Sequence, residues 1–349
     1  MTTKNESRVL ILSLLVTVGL IGSCVWFLRN AIAPSTPSDP TSAPTSALSN
    51  STPAAQSNLP PVEQFSQVQN VPSGIFNYGG STSWAPIRGS IDLEIQKTRP
   101  EFRLNYVQQD GVSPSTQSGI DLLAQGKVAF SLASRLPSNE LLQKLASQGI
   151  QLRLVPVANS FDVVIVNPSL PLTKITPDQA IALDLGKVEN WKELGGPDLP
   201  VQYFDRNVNP DTLESRPDPS NSNILFFSTP LAQIKKIAEE PQGFAVFAAP
   251  LAVPQCSVKT LAIATPSGQT LTPYKEPLIP PDQCKTQKNQ INLDAFRNPE
   301  YPSELKNTLY VVIHQNGKQE QQVGEAYANF LLSNQGQALL EKAGYLRIR

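Results

Sequence analysis

Two hydropathy textures divide the chain. Residues 9–28, VLILSLLVTVGLIGSCVWFL, run without a charged side chain. At about 1.5 Å per residue that stretch reaches across the ~30 Å hydrocarbon core of a bilayer, so residues 1–30 are predicted to form a transmembrane anchor. Residues 31–70 are rich in Ser, Thr, Pro, Ala and Gln and poor in large apolar side chains, which predicts a disordered linker. From about Val71 short apolar runs alternate with helical spacing. Strands are expected over 75–78, 102–108, 128–133, 152–157, 162–166, 201–204 and 309–313. Helices are expected over 85–98, 118–124, 138–148, 177–184, 324–332 and 335–343. Thr176 caps the helix that Pro177 opens. Strands alternating with helices at this spacing predict α/β layering.

Charge decides which side of the membrane the body occupies. Lys4 and Arg8 precede the apolar stretch and Arg29 follows it, a flank that favours a cytoplasmic N-terminus and an extracytoplasmic main domain. A lipid-anchored alternative rests on Leu20-Ile21-Gly22-Ser23-Cys24, with small residues before a cysteine. The apolar run continues through residues 25–28, where a cleaved lipoprotein usually turns polar. An uncleaved anchor is favoured, and either form tethers the protein to the cell membrane. Across the whole chain 28 Lys and Arg meet 29 Asp and Glu, so no basic excess invites nucleic acid. Cys256 and Cys284 flank a Pro-rich segment and would pair in an oxidising compartment; two separate buried thiols is the plainer alternative.

Ligands of open α/β sheets bind beyond the carboxyl ends of strands, so the strand-to-helix turns are the places to look. The first is Gly79-Gly80-Ser81-Thr82-Ser83-Trp84. Its glycines let backbone approach a ligand, and its hydroxyls and helix-start N–H groups make an anion cradle. A second, Ser113-Pro114-Ser115-Thr116-Gln117-Ser118-Gly119, has the same chemistry. A third runs from Asp205 and Arg206 to Asp211 and Thr212 and adds a guanidinium that can grip an oxyanion bidentately. Ser134-Arg135 is a fourth. Each alone also fits an ordinary capped turn; together they describe a metal-free, cofactor-free site for a small anion. Enzyme chemistry is not indicated. His314 is the only histidine, it has no metal-spaced partners, and no nucleophile elbow, Walker loop or dinucleotide fingerprint is present.

The chain resembles the phosphate-binding-protein family of ABC importers. The resemblance covers roughly Val71 to Arg349 and is strongest over 172–200, LTKITPDQAIALDLGKVENWKELGGPDLP, with looser matches at Gly80-Ser81-Thr82, Gly119-Ile120, 242–246 and 330–340. It implies a two-lobed, type II periplasmic-binding-protein fold with an interlobe ligand cleft. Lobe one would be about 71–158 plus 300–349 and lobe two about 162–250, with chain crossings near 157–161 and 247–254 and the Pro-rich stretch 251–299 unassigned. By the same resemblance Ser81, Thr82, Ser83, Thr116, Ser134, Arg206 and Thr212 stand at ligand positions. Arg135 stands where the family has an aspartate, and Asp211 occupies the third loop, where it would accept the proton of a protonated phosphate in that aspartate's place. The implied function is capture of inorganic phosphate or a similar oxyanion for an ABC permease. A tethered sensor or assembly protein that kept the fold and lost the ligand is the rival.

Overall fold

The computed structural model describes residues 62–206 and 223–348. The expected transmembrane anchor, most of the expected linker, Asp211 and Thr212 lie outside those residues. Among the described residues no helix is long and apolar enough to cross a membrane. The linker ends earlier than its composition predicts. Phe65 and Val68 are buried in the first core, and Arg99 donates hydrogen bonds to the carbonyls of Ser66 and Val68. Burying a side chain of this kind is worth about 1.5–3 kcal/mol, enough to fold a short polar segment onto a core.

The first half of the sheet is built from β1 (Gly74–Gly80), β2 (Phe102–Tyr106) and β3 (Phe130–Ala133), with β1 central and parallel to both. The intervening helices are α1 (Ala85–Thr98) and α2 (Thr116–Ala124), and α3 (Asn139–Ser147) follows β3. In α1 the isoleucines at 87, 91 and 95 recur every four residues and are all buried, the stripe a helix needs to lie on a sheet. Every residue of β3 is buried, as expected of a strand covered on both faces.

The chain crosses between halves in β4 (Leu152–Val166). The two strands expected at 152–157 and 162–166 are one strand of fifteen residues. The sequence places a crossing between lobes near 157–161, where Asn159 and Ser160 interrupt the apolar run. The chain stays extended there because residues 158–161 pair antiparallel with β12 (Lys306–His314), Ser160 opposite Asn307 and Phe161 opposite Lys306. Val157 is an extra residue in that ladder, a β-bulge where the register shifts between Leu309 and Tyr310. Residues 162–166 then pair with β8 (Gly243–Ala248), so one strand is stitched to both halves.

The second half contains β5 (Lys174–Ile175), α4 (Pro177–Asp184), β6 (Gln202–Arg206), β7 (Ile224–Phe227), α5 (Pro230–Glu239), β8 and the short helix α6 (Ala249–Ala252). Thr176 and Gln179 form a capping box at the start of α4. The main sheet runs β2-β1-β3-β12-β4-β8-β6-β7, with β9 (Lys259–Thr260) also on β4. Strands β10 (Ala262–Ala264) and β11 (Thr270–Leu271) make a small second sheet with β5.

The stretch after 250 stays with the second half. Val258, Leu261, Ile263, Leu271 and Phe296 of α7 (Leu293–Arg297) share one core with Val164, Trp191 and Phe244. Phe161 stacks on Phe296 at 4.9 Å. The return crossing therefore lies at 301–306, at the entry to β12, and not at 247–254. A disulfide joins Cys256 to Cys284. Closing a loop of 28 residues restricts the unfolded chain by about 3–4 kcal/mol in the chain-entropy account. After β12 the chain ends in α8 (Gln319–Leu332) and α9 (Asn334–Lys342), packed on the first core through Tyr327, Phe330 and Leu340. Helix α8 begins five residues before the expected position, because its polar first turn carries no apolar stripe.

Candidate functional site

Beyond the carboxyl ends of β1 and β3 the hydroxyl loops of the first half meet. Ser81 caps the turn 82–84 that leads into α1, its Oγ accepting from the Ser83 N–H at 3.2 Å. Ser115 caps α2 in a reciprocal box with Ser118, so Thr116 is the first helical residue. The expected start at Ser118 was two residues late, because the serine cluster reads equally well as loop. Two bonds tie these loops to Ser134: the hydroxyls of Ser81 and Ser134 are 2.9 Å apart, and the Ser134 N–H donates to Thr116 Oγ1 at 3.1 Å.

Glycine makes that approach possible. A Cβ on Gly119 would sit 2.6 Å from the Gly80 Cα and 2.3 Å from Ser131 Oγ. Gly80 has φ of 130° and lies against the Leu132 backbone. The Trp84 indole N–H donates to the Ala133 carbonyl at 3.0 Å, so this buried tryptophan braces the loop rather than forming a ligand platform. Trp191 is likewise buried and donates to the Gln242 carbonyl.

These loops form one wall of a cavity of about 260 Å³. Ser81, Thr82, Ser83, Thr116, Ser134 and Arg135, all expected at the site, line it. The opposite wall comes from the second half: Asp184 at the end of α4, Asp205 on β6, and Pro230 and Gln233 at the start of α5. The floor is the pair of crossing strands, which contribute Ser160, Asp162 and Asn307. Ser160 and Asp162 are two apart on β4, so both project from one face. The Asn307 amide donates to Asp162 Oδ2 at 2.7 Å. Across the mouth, the Ser113 hydroxyl donates to the Ser228 carbonyl at 3.1 Å, a direct link between the two walls.

Arg206 closes β6 immediately after Asp205, with its backbone paired to β7 at Phe227; its side chain lies outside the described residues, as do Asp211 and Thr212. Sequence reasoning missed Ser160, Asp162, Asn307, Asp184, Gln233 and Glu304. Only the first two had a signal, polar residues at alternate positions in an apolar strand.

Electrostatically the walls differ. Three helices start at the cavity, α1 through the turn at Thr82, α2 at Thr116 and α5 at Pro230, and their unsatisfied N–H groups and dipoles favour negative charge. Against them stand four carboxylates, Asp162, Asp184, Asp205 and Glu304, with Arg135 the one cation lining the cavity among the described residues. Arg135, Asp162, Asp184 and Asp205 each hold partners within the protein. Among the described residues two buried side-chain oxygens of the cavity-lining residues lack a hydrogen-bond partner, Ser160 Oγ and Gln233 Oε1. Among the described residues no cluster of His, Cys, Asp and Glu is placed to hold a metal.

Two halves joined by extended crossing strands, with a polar cavity between them, are the two-lobed arrangement that the sequence resemblance implies. The PBP superfamily domain matches residues 43–216. The phosphate-binding protein PstS of Borreliella burgdorferi is 23% identical over 287 residues, 79% of this chain and 90% of that protein. A protein from Clostridium perfringens assigned as a phosphate ABC transporter substrate-binding protein, solved with bound phosphate, superposes with a TM-score of 0.56 at 20% identity, over 79% of this chain and all of that one. An ABC-type phosphate transport receptor from Vibrio cholerae gives 0.54 at 18% identity, over 78% of this chain and all of the receptor. The chain thus shares the fold of these phosphate-binding proteins, and residues 43–216 resemble a PBP superfamily domain.

Proposed function

We propose that this protein captures a small oxyanion outside the cytoplasm, inorganic phosphate being the simplest, and delivers it to an ABC permease. In this reading it binds and releases its ligand and performs no chemistry. The observation that carries it is the joining of three hydroxyl loops by the Ser81–Ser134 and Thr116–Ser134 hydrogen bonds, at the N-terminal ends of helices. Such a cradle supplies oriented neutral donors, and each hydrogen bond to a charged group contributes about 1.5–3 kcal/mol. Arg135 adds positive charge, and Arg206, Asp211 and Thr212 are proposed to complete the ligand set from the opposite side.

The functional motion is closure about the two crossings, a hinge in which lobe one and lobe two move as bodies. The apolar stretch at 9–28 is proposed to hold the binding domain at the membrane, beside its permease. Titration calorimetry of the full chain in detergent tests the reading with phosphate, sulfate and molybdate. Phosphate is expected to bind with a Kd in the micromolar range or tighter. No heat with any of the three would leave the sensor or assembly role as the better account.

A further inference from the structure

A second cavity, of about 660 Å³, lies outside the cleft. Pockets that hold small organic molecules span ~300–1,000 Å³. One side comes from lobe one, with Pro86 in the first turn of α1 and residues 341–344 at the end of α9. The other comes from the stretch that stays with the second half, between Pro250 on α6 and Arg297 on α7. Gly344 lets the two sides close together at the base. Its φ of 96° suits glycine, and Ile291 Cδ1 lies where it would come within 2.1 Å of a Cβ.

The charges around this cavity are unevenly paired. Arg297 donates to Asp294 at 2.7 Å and to Glu341 at 2.8 Å, and Arg347 bonds the other Glu341 oxygen at 2.7 Å. Both carboxylates of the lining are thus answered by guanidinium groups. Lys275 and Lys342 also line it, and neither side chain has an ion pair or hydrogen bond among the described residues. Asn289, 4% exposed, adds a neutral donor. Its Oδ1 accepts from the Ile279 N–H at 2.7 Å, which fixes the amide, since the opposite orientation would set two donors against each other. The amide nitrogen is left without a partner among the described residues. It is not sealed from open space as Ser160 Oγ and Gln233 Oε1 are, so it opens on the cavity that Asn289 lines. Buried polar groups are almost always paired, and a donor left over beside a cavity calls for an acceptor in it.

Between these donors the surface is apolar. Pro86, Pro250 and Pro254 present stiff rings that offer no backbone N–H. A bare inorganic ion would leave those faces uncovered, and a cation would meet the ammonium groups.

We infer that this cavity is a second binding site, for a small organic anion: an acidic head, such as a carboxylate or sulfonate, on an apolar body. The head meets Asn289 Nδ2 and the ammonium groups of Lys275 and Lys342, and the body lies on the prolines. The inference does not depend on what the cleft binds.

Calorimetry of the full chain, with a detergent-only blank, tests it with benzenesulfonate, methanesulfonate and benzyl alcohol. Two variants locate the site. Lys275→Ala/Lys342→Ala removes two exposed charges, and Asn289→Asp keeps the acceptor for Ile279 while setting a carboxylate where the donor was. Benzenesulfonate is expected to bind the wild-type protein with a Kd of about 1 mM or tighter. Its affinity is expected to fall about tenfold or more in each variant, the worth of one charge-assisted hydrogen bond. Methanesulfonate lacks the body and benzyl alcohol lacks the charge, so each is expected to change less than about twofold. No heat with benzenesulfonate would overturn the site. So would unchanged benzenesulfonate affinity in the double-lysine variant, as a probe seated in the cleft would give. An equal loss for all three probes would overturn the ligand class.

Discussion

The wall of the cleft that lobe one supplies is self-consistent and the one across from it is not. On the first, Ser81, Thr116 and Ser134 are bonded to one another and the backbone is held by Trp84 and by the close contact of Gly119 on Gly80. On the second, Gln233 Oε1 is buried without a partner among the described residues, and so is Ser160 Oγ on the floor. A wall whose groups satisfy each other is preorganised: it keeps its geometry empty or filled, so little is lost in ordering it when ligand arrives. A wall with orphan groups carries a desolvation cost in the free protein that a ligand relieves. The first wall thus keeps a fixed geometry, and the second has groups left to satisfy.

The largest break in that contrast comes from wedging the first wall apart. Gly119→Val places a side chain into the Gly80 backbone, which cannot yield without moving β1, and against the Ser131 hydroxyl. Oxyanion binding is expected to disappear, with a loss of about 3 kcal/mol or more in unfolding free energy. Denaturant titration and calorimetry on the same sample check both. A protein that still bound phosphate normally would show that the loops need not touch to make the site.

A finer comparison sets Ser134→Ala against Ser160→Ala. Removing the Ser134 hydroxyl leaves the Ser81 hydroxyl with only the Ser83 N–H, so stability is expected to fall by about 1 kcal/mol and phosphate affinity about tenfold. Removing the Ser160 hydroxyl deletes a group that has no partner among the described residues. Stability is expected to stay level or rise slightly, while ligand affinity still falls. Thermal shift and calorimetry on both variants give the two readouts. A clear loss of stability in Ser160→Ala would mean that its hydroxyl has a structural partner in solution and serves the fold.

Much of the first wall was legible in the sequence and little of the second. Clusters such as Gly-Gly-Ser-Thr-Ser and Ser-Pro-Ser-Thr announce a polar turn locally, since cap chemistry is set by residues within four positions of each other. Ser160 and Asp162 were visible only as polar interruptions of an apolar run, and that interruption was taken for a break between strands. Pairing with β12, some 147 residues later by the Ser160–Asn307 register, keeps the run extended. Gln233 and Glu304 carried no local signal, because their place at the cleft follows from packing alone. The same reasoning explains the crossing placed near 247–254. The residues after it, from Val258 to Leu271, are apolar enough to hold the chain in the second core.

The smallest effect lies behind the first wall, in a carboxylate that does not face the ligand. Asp92 on α1 accepts hydrogen bonds from Tyr78 on β1 and from Tyr327 on α8 at 3.2 Å. Arg88, one turn earlier and packed over the Tyr106 ring at 3.4 Å, is the cation that acts on it. Burial raises the Asp92 pKa to about 6; the two tyrosine hydrogen bonds and Arg88 pull it back only in part. The unfolded chain has an ordinary aspartate near 3.9, so the folded state binds the proton more tightly. The ionised carboxylate is thus a burden above about pH 6 that is relieved as pH falls toward 4. Relative to Asp92→Asn, the wild-type protein is expected to gain about 1 kcal/mol of unfolding free energy between pH 7 and pH 5. Denaturant titrations of both proteins at the two pH values measure it. A difference that stayed flat would place Asp92 in water, and would make the brace behind Gly79 and Gly80 looser than the wall it supports.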